Sequence, residues 1–135
     1  MEEPRDDGTS ASLGPGDRVD EEILSELFSV LRDSELDGLV KACGLFVNGM
    51  RGRLADLDVA VPEGRLEDAA RSAHSLRGSA GSFGARRLSV LGERLERACL
   101  DGDKDAAGPL VEEMRGELAA FLAILEARLA EASQG

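Results

Sequence analysis

The 135-residue chain has no tryptophan, no tyrosine and four phenylalanines, so aromatic side chains make up 3 % of it. A core almost without rings must be packed from Leu, Ala and Val, which favours helices over a β-sandwich. Cysteine is scarce too. Cys43 and Cys99 fall on separate predicted helices, and a single pair makes no disulfide framework. With one histidine beside them they form a poor zinc set, which leaves both as small apolar core residues. No apolar run nears the roughly 20 residues that span a bilayer, and the acidic N-terminus has no apolar signal core. No membrane segment is expected, and the location expected is cytoplasmic. Positive charge is also in deficit: 27 acids against 16 bases give a formal net charge of -11. Nucleic-acid phosphates would be repelled by that balance, so nucleic acid is not an expected partner.

What is present suits one globular domain, with 42 % hydrophobic and 32 % charged residues. Residues 1–18 carry Pro, Gly, Ser and five acids with almost nothing to bury. They are expected to form a disordered acidic tail ahead of a domain over 19–133. A first helix is predicted from about Asp20, its N-cap, to Arg32, with Ile23, Leu24, Leu27, Val30 and Leu31 as the apolar stripe. The second, Leu36 to Val61, repeats Leu39, Val40, Cys43, Phe46, Val47, Met50, Leu54 and Leu57 at helical spacing, and Pro62-Glu63-Gly64 ends it. The third runs from Arg65 to Ser82, and Gly84 breaks it from a fourth, Arg86 to Leu100, with Leu88, Leu91, Leu95 and Ala98 inward. After the turn Asp101-Gly102-Asp103 the last helix reaches about Glu131. It starts either near Lys104, with Pro109 kinking it, or with Pro109 in its first turn.

Five helices, short connections and no strand pattern predict an all-α protein. Helices two to five form an up-and-down antiparallel four-helix bundle, with the additional short N-terminal helix as a lid. No large apolar face is left over, so a monomer is expected.

The stretch Ala70 to Ala85, A-R-S-A-H-S-L-R-G-S-A-G-S-F-G-A, holds the only histidine, His74. Arg77 follows at i+3, Gly78 at i+4 and Gly81 at i+7, spacings that share one helix face. A glycine inside a helix costs roughly 1 kcal/mol relative to alanine. Two of them beside His74 point to close approach of another macromolecule, or to a bulky group on the ring. Leu66, Ala69, Ala73, Leu76, Ala80 and Phe83 form the apolar stripe, and His74 lies off its centre, exposed at the edge of the buried face. Between Gly64 and Arg97 seven arginines stand against four acids, a local surplus of three positive charges.

A lone exposed histidine supports few reactions. No Ser or Cys is spaced for a nucleophilic triad with it, and no Gly-rich phosphate loop follows a strand. Covalent phosphorylation of the imidazole does fit. A neutral ring nitrogen is nucleophilic near pH 7, because histidine ordinarily titrates at about 6.5. The incoming phosphoryl group brings about two negative charges, and Arg77, one turn on, can pair with its oxygens.

His74-Ser75-Leu76-Arg77-Gly78-Ser79-Ala80 resembles H-x-L-K-G-S-A/S, the signature of histidine-containing phosphotransfer (HPt) domains, and Phe83-Gly84-Ala85 resembles its continuation. The acidic stretch Glu93-Arg94-Leu95-Glu96 and the turn after it resemble the family's layout, over roughly Ile23 to Leu129. The family most often has lysine where Arg77 stands, which keeps the charge and changes its geometry. The resemblance implies a phosphorelay intermediate. His74 would accept a phosphoryl group from a receiver-domain aspartate, or from a sensor or hybrid histidine kinase, and pass it to another response-regulator receiver. Arg77 would stabilise the phosphoryl charge, and Arg71, Ser75, Gly78, Ser79 and Gly81 would form the docking face. The same resemblance implies a phosphocarrier without its own ATP site or cofactor, with Mg²⁺ held by the partner receiver.

Three alternatives stand beside it. The phosphoacceptor helix of a sensor kinase resembles H-E-x-x-x-P, but Ser75 and Ser79 occupy the acid and proline places. A separated phosphoacceptor domain of a chemotaxis-type kinase has a similar motif and bundle. The third is a helical interaction module that docks receivers without transfer.

Overall fold

Three turns built alike join the long helices. Gly64, Gly84 and Gly102 adopt φ of 76°, 77° and 74°, the left-handed region that a residue without a Cβ enters freely. At Gly84, the glycine N–H donates to the Gly81 carbonyl (3.1 Å) and the Ala85 N–H to that of Ala80 (2.8 Å). This pairing satisfies carbonyls that a helix end leaves open. The same pairs recur around Gly64 and Gly102.

The computed structural model describes residues 18–34 and 36–134. Apart from Arg18, the acidic tail expected over 1–18 lies outside the described residues, as do the side chains of Leu31 and Leu36. Five helices follow in order: α1 (Glu21–Ser34), α2 (Leu36–Ala60), α3 (Leu66–Ser82), α4 (Arg86–Leu100) and α5 (Lys104–Gln134). There is no strand among the described residues. Helix α2 packs on α3, α3 on α4, α4 on α5, and α5 closes the ring on α2. With turns this short, successive helices run antiparallel, which is the expected up-and-down bundle.

Helix α1 packs on α2 and is tied to the end of the bundle where α3 hands over to α4. The Asp20 N–H donates to the Gly84 carbonyl (2.7 Å), and a Cβ on Gly84 would lie 2.9 Å from the Asp20 carbonyl oxygen. Arg18 pairs with the buried Glu117 of α5 (2.5 Å), which Arg87 also approaches (3.8 Å). Arg128 of α5 bonds both carboxylate oxygens of Glu21. The first helix is therefore the lid that its length predicted.

Local capping sets the helix starts. Asp20 accepts the Ile23 N–H on its side chain (3.2 Å), the N-cap expected. Asp103 accepts the Ala106 N–H in the same way (3.1 Å), and α5 accordingly begins at Lys104 with Pro109 inside it. The proline forfeits the N–H that would have bonded back one turn.

Leu39, Leu57, Leu76, Leu95 and Phe121 are fully buried in the core. Phe46 stacks on Phe83 at 4.3 Å between ring centroids and meets Phe121 edge-on at 5.8 Å, so three of the few rings gather in one cluster. Cys43 and Cys99 are buried and unpaired, and burial pushes both thiols up. The expected stripes fail at Ile23, Val30 and Val40, which are exposed. The lid lies on the bundle's end, so Leu24 goes fully in and Phe28 packs partly against the core. Val40 is about 100° round the helix from the buried Leu39, outside the arc that α2 turns inward. No described helix is long and apolar enough to cross a membrane.

Candidate functional site

The buried face of α3 is made of Ala69, Ala70, Ser72, Ala73, Leu76 and Ala80. All but one are small, so neighbouring helices approach its backbone closely. His74 stands halfway along, at the edge of that face, with its side chain 61 % exposed. This is the position its phase in the sequence predicted.

Helix α4 supplies the other half of the site. Ser89, Gly92 and Glu96 recur at i, i+3 and i+7 and so share one face, and that face is turned to α3. The Ser89 hydroxyl donates to the Arg77 carbonyl (3.1 Å). Two turns further, the Glu96 carboxylate reaches over α3. Its Oε2 lies 3.0 Å from Nδ1 of His74, and its Oε1 accepts from Nε of Arg77 (3.3 Å). Nη2 of Arg77 is 3.0 Å from the same Nδ1. Imidazole, carboxylate and guanidinium thus form a closed triangle.

The triangle sets an acceptor and a donor against the same ring nitrogen. With a proton on Nδ1 the ring donates to a carboxylate, a charge-assisted bond stronger than one between neutral groups. With the proton on Nε2 the Nδ1 lone pair would instead face the anionic Oε2. Nη2 of Arg77, at the same 3.0 Å, can donate only to an unprotonated Nδ1, so the two partners favour opposite tautomers, and both stand on the Nδ1 side of the ring. Among the described residues Nε2 has no hydrogen-bond partner, and the His74 side chain is 61 % exposed.

The other site candidates are spread around this centre. Arg77 is close by and partly exposed. Arg71 is exposed and ion-paired with Asp68 on its own helix. Ser75 is half-buried and lines a groove between α2 and α3 together with Arg53, Arg65 and Arg71. Gly78 and Ser79 are exposed, and a Cβ on Gly78 would meet open space. Gly81 instead leans towards α4, where a Cβ would sit 3.6 Å from Ser89 Oγ. Ser82 donates its hydroxyl to the Gly78 carbonyl (3.1 Å). A second groove, on the α4 side of His74, is lined by Arg77, Glu93, Glu96, Arg97 and Leu100. No three His, Cys, Asp or Glu side chains gather as a metal set among the described residues.

Glu96 is the residue that sequence reasoning passed over. It counted there only as part of an acidic stretch. The available signal was its place beside the inward Leu95 and one turn after Gly92, which puts it at the α3–α4 seam.

The Hpt domain family model matches residues 41–128, well over half of the chain. The crystal structure of histidine-containing phosphotransfer protein B from Pseudomonas aeruginosa PAO1 is similar to this chain with a TM-score of 0.76. The two share 24 % identity over 84 % of this chain and 96 % of that one, a likeness that shows the fold. No curated protein sequence matches.

Proposed function

The chain belongs to the Hpt domain family, and on that premise we propose that it is a phosphorelay intermediate of two-component signalling. His74 accepts a phosphoryl group from the aspartyl phosphate of a receiver domain, or from a histidine kinase, and hands it to another response-regulator receiver. The observation that supports this reading is an exposed histidine whose Nδ1 is occupied by Glu96 and Arg77, each 3.0 Å away, so that Nε2 is the ring nitrogen left to act as nucleophile.

In the transfer step the Nε2 lone pair forms a bond to phosphorus while the P–O bond to the donor aspartate breaks, and the aspartate leaves as a carboxylate. The ring reacts in its Nδ1–H form, donating to Glu96, so no proton has to leave it. Nδ1 keeps its own, and the positive charge that develops on the imidazole faces the Glu96 carboxylate already in place. Arg77 swings from Nδ1 to the phosphoryl oxygens, which a planar guanidinium can bind in pairs. Arg71, Ser75, Gly78, Ser79 and Gly81 lie along the face that a receiver would cover. Mg²⁺ belongs to the receiver's acidic pocket, where it neutralises the phosphoryl oxygens. The chain itself then works by positioning and charge, without an ATP site, as a monomer in the cytoplasm.

The test is to incubate the protein with a phosphorylated receiver, or with a kinase and receiver pair plus ATP and Mg²⁺, beside His74→Gln. Acid-labile, alkali-stable phosphate is expected on the native chain alone. Label persisting on His74→Gln would remove His74 as acceptor. No label from several active donors would favour a module that docks receivers without transfer.

A further inference from the structure

We infer that Gly92 is a positioning residue for the phosphoacceptor: by letting α4 seat directly on the backbone of Arg77, it holds the Glu96 carboxylate against His74 Nδ1. A Cβ built on Gly92 would stand 3.2 Å from N, Cα and Cβ of Arg77. That is tighter than ordinary van der Waals contact, and two of the three atoms are main chain that cannot rotate away. Gly44, Gly49, Gly52, Gly78, Gly108 and Gly116 are also helical, and a Cβ on any of them would meet nothing within 4 Å. Glycine is the poorest interior helix residue after proline. What Gly92 supplies in return is close approach.

The approach falls at the one place where the site needs it. Ser89, one turn before Gly92, donates its hydroxyl to the Arg77 carbonyl (3.1 Å), so a hydrogen bond ties the two helices beside the seat. Glu96 lies one turn beyond Gly92 on the same face, and its height over α3 is set by that seat. An added methyl group would part the helices locally by a few tenths of an ångström. The Glu96–His74 contact would then lengthen, and the ring would be freer to carry its proton on Nε2, where it blocks attack. Gly92 touches no reacting atom and acts only through Glu96.

The inference rests on the Glu96–His74 contact, and its kinetic arm on the proposed phosphotransfer. Long-range ¹H–¹⁵N spectra of the imidazole report which ring nitrogen is protonated and need no phosphodonor. The native chain is expected to show the Nδ1–H form, and Gly92→Ala and Glu96→Gln a mixture of the two. Phosphoryl acceptance by Gly92→Ala should fall about three- to tenfold, the scale of a sub-ångström misplacement. In the Glu96→Gln background Gly92→Ala should have no further effect. Gly116→Ala, on an open face of α5, should leave both spectrum and rate unchanged. If Gly92→Ala does not fold, Ser89→Ala removes the hydroxyl without adding volume and should shift the ring spectrum the same way. A native ring spectrum in folded Gly92→Ala, or in Ser89→Ala when the first variant fails, would overturn the inference. So would losses of rate that add in the double variant. A native chain that takes no phosphate would instead sink the relay function, and the ring spectrum would still decide the role of Gly92.

Discussion

The Glu96 carboxylate stands 3.0 Å from Nδ1 of His74, although 22 positions and a helix turn separate the two residues. Arg77 joins both, so the imidazole is held from one side and open on the other. Removing the negative charge should therefore impair chemistry more than folding. Glu96→Gln is expected to slow phosphoryl acceptance by about 10- to 100-fold, the usual effect of losing an orienting partner. Its thermal midpoint should stay near the native value, because its partners His74 and Arg77 are 61 % and 38 % exposed and pairs with such partners contribute little. Stopped transfer assays and a thermal scan check both halves.

Arg77 separates charge from shape. Arg77→Lys keeps the positive charge and should retain transfer within about tenfold, whereas Arg77→Ala should lose more than that and leave a phosphohistidine that is lost faster. Equal rates for the two variants would show that the charge at this position is not used.

Gly84 and Gly64 share a left-handed backbone and differ in surroundings. A Cβ on Gly64 meets open space, while one on Gly84 meets the Asp20 carbonyl at 2.9 Å and the Leu24 N–H nitrogen at 3.1 Å. Gly64→Ala should cost about 1–2 kcal/mol from backbone strain alone. Gly84→Ala should cost about 2–4 kcal/mol, because the lid must also shift. Urea denaturation of the pair measures the difference.

The two cysteines predict a pH effect of definite sign. Burial pushes the Cys43 and Cys99 thiols up, so the folded chain keeps protons that the unfolded chain releases. The stability linked to them is fully present below the ordinary thiol range and is lost as pH rises through the raised folded values. The urea midpoint should fall on the alkaline side, and fall less in a Cys43→Ala/Cys99→Ala variant. At pH 8 a thiol reagent should label the native chain only as fast as it opens.

Much of the architecture was readable from local pattern. Leu39, Leu54, Leu76, Leu91 and Leu95 mark inward faces because burial repeats with the helix, and Gly64, Gly84 and Gly102 mark turns because only glycine enters that conformation freely. His74 and Arg77 were readable for the same reason. They sit three residues apart on one helix, so their proximity is a property of the helix itself.

The start of α5 lay between those cases. Pro109 allows two starts, and the Asp103 side chain decides for Lys104 by capping the earlier one. The exposed Ile23, Val30 and Val40 lay beyond local pattern, since periodicity says which residues share a face but not how much of that face a neighbour covers.

The sequence by itself determined the helices, their turns and the histidine with its arginine, because each depends on contacts within a few residues. Only the tertiary structure decided that Glu96, rather than Glu93, closes on the imidazole and that Gly92 is where α4 seats on α3. Those two facts follow from the distance and rotation between two packed helices, which spacing along the chain does not encode.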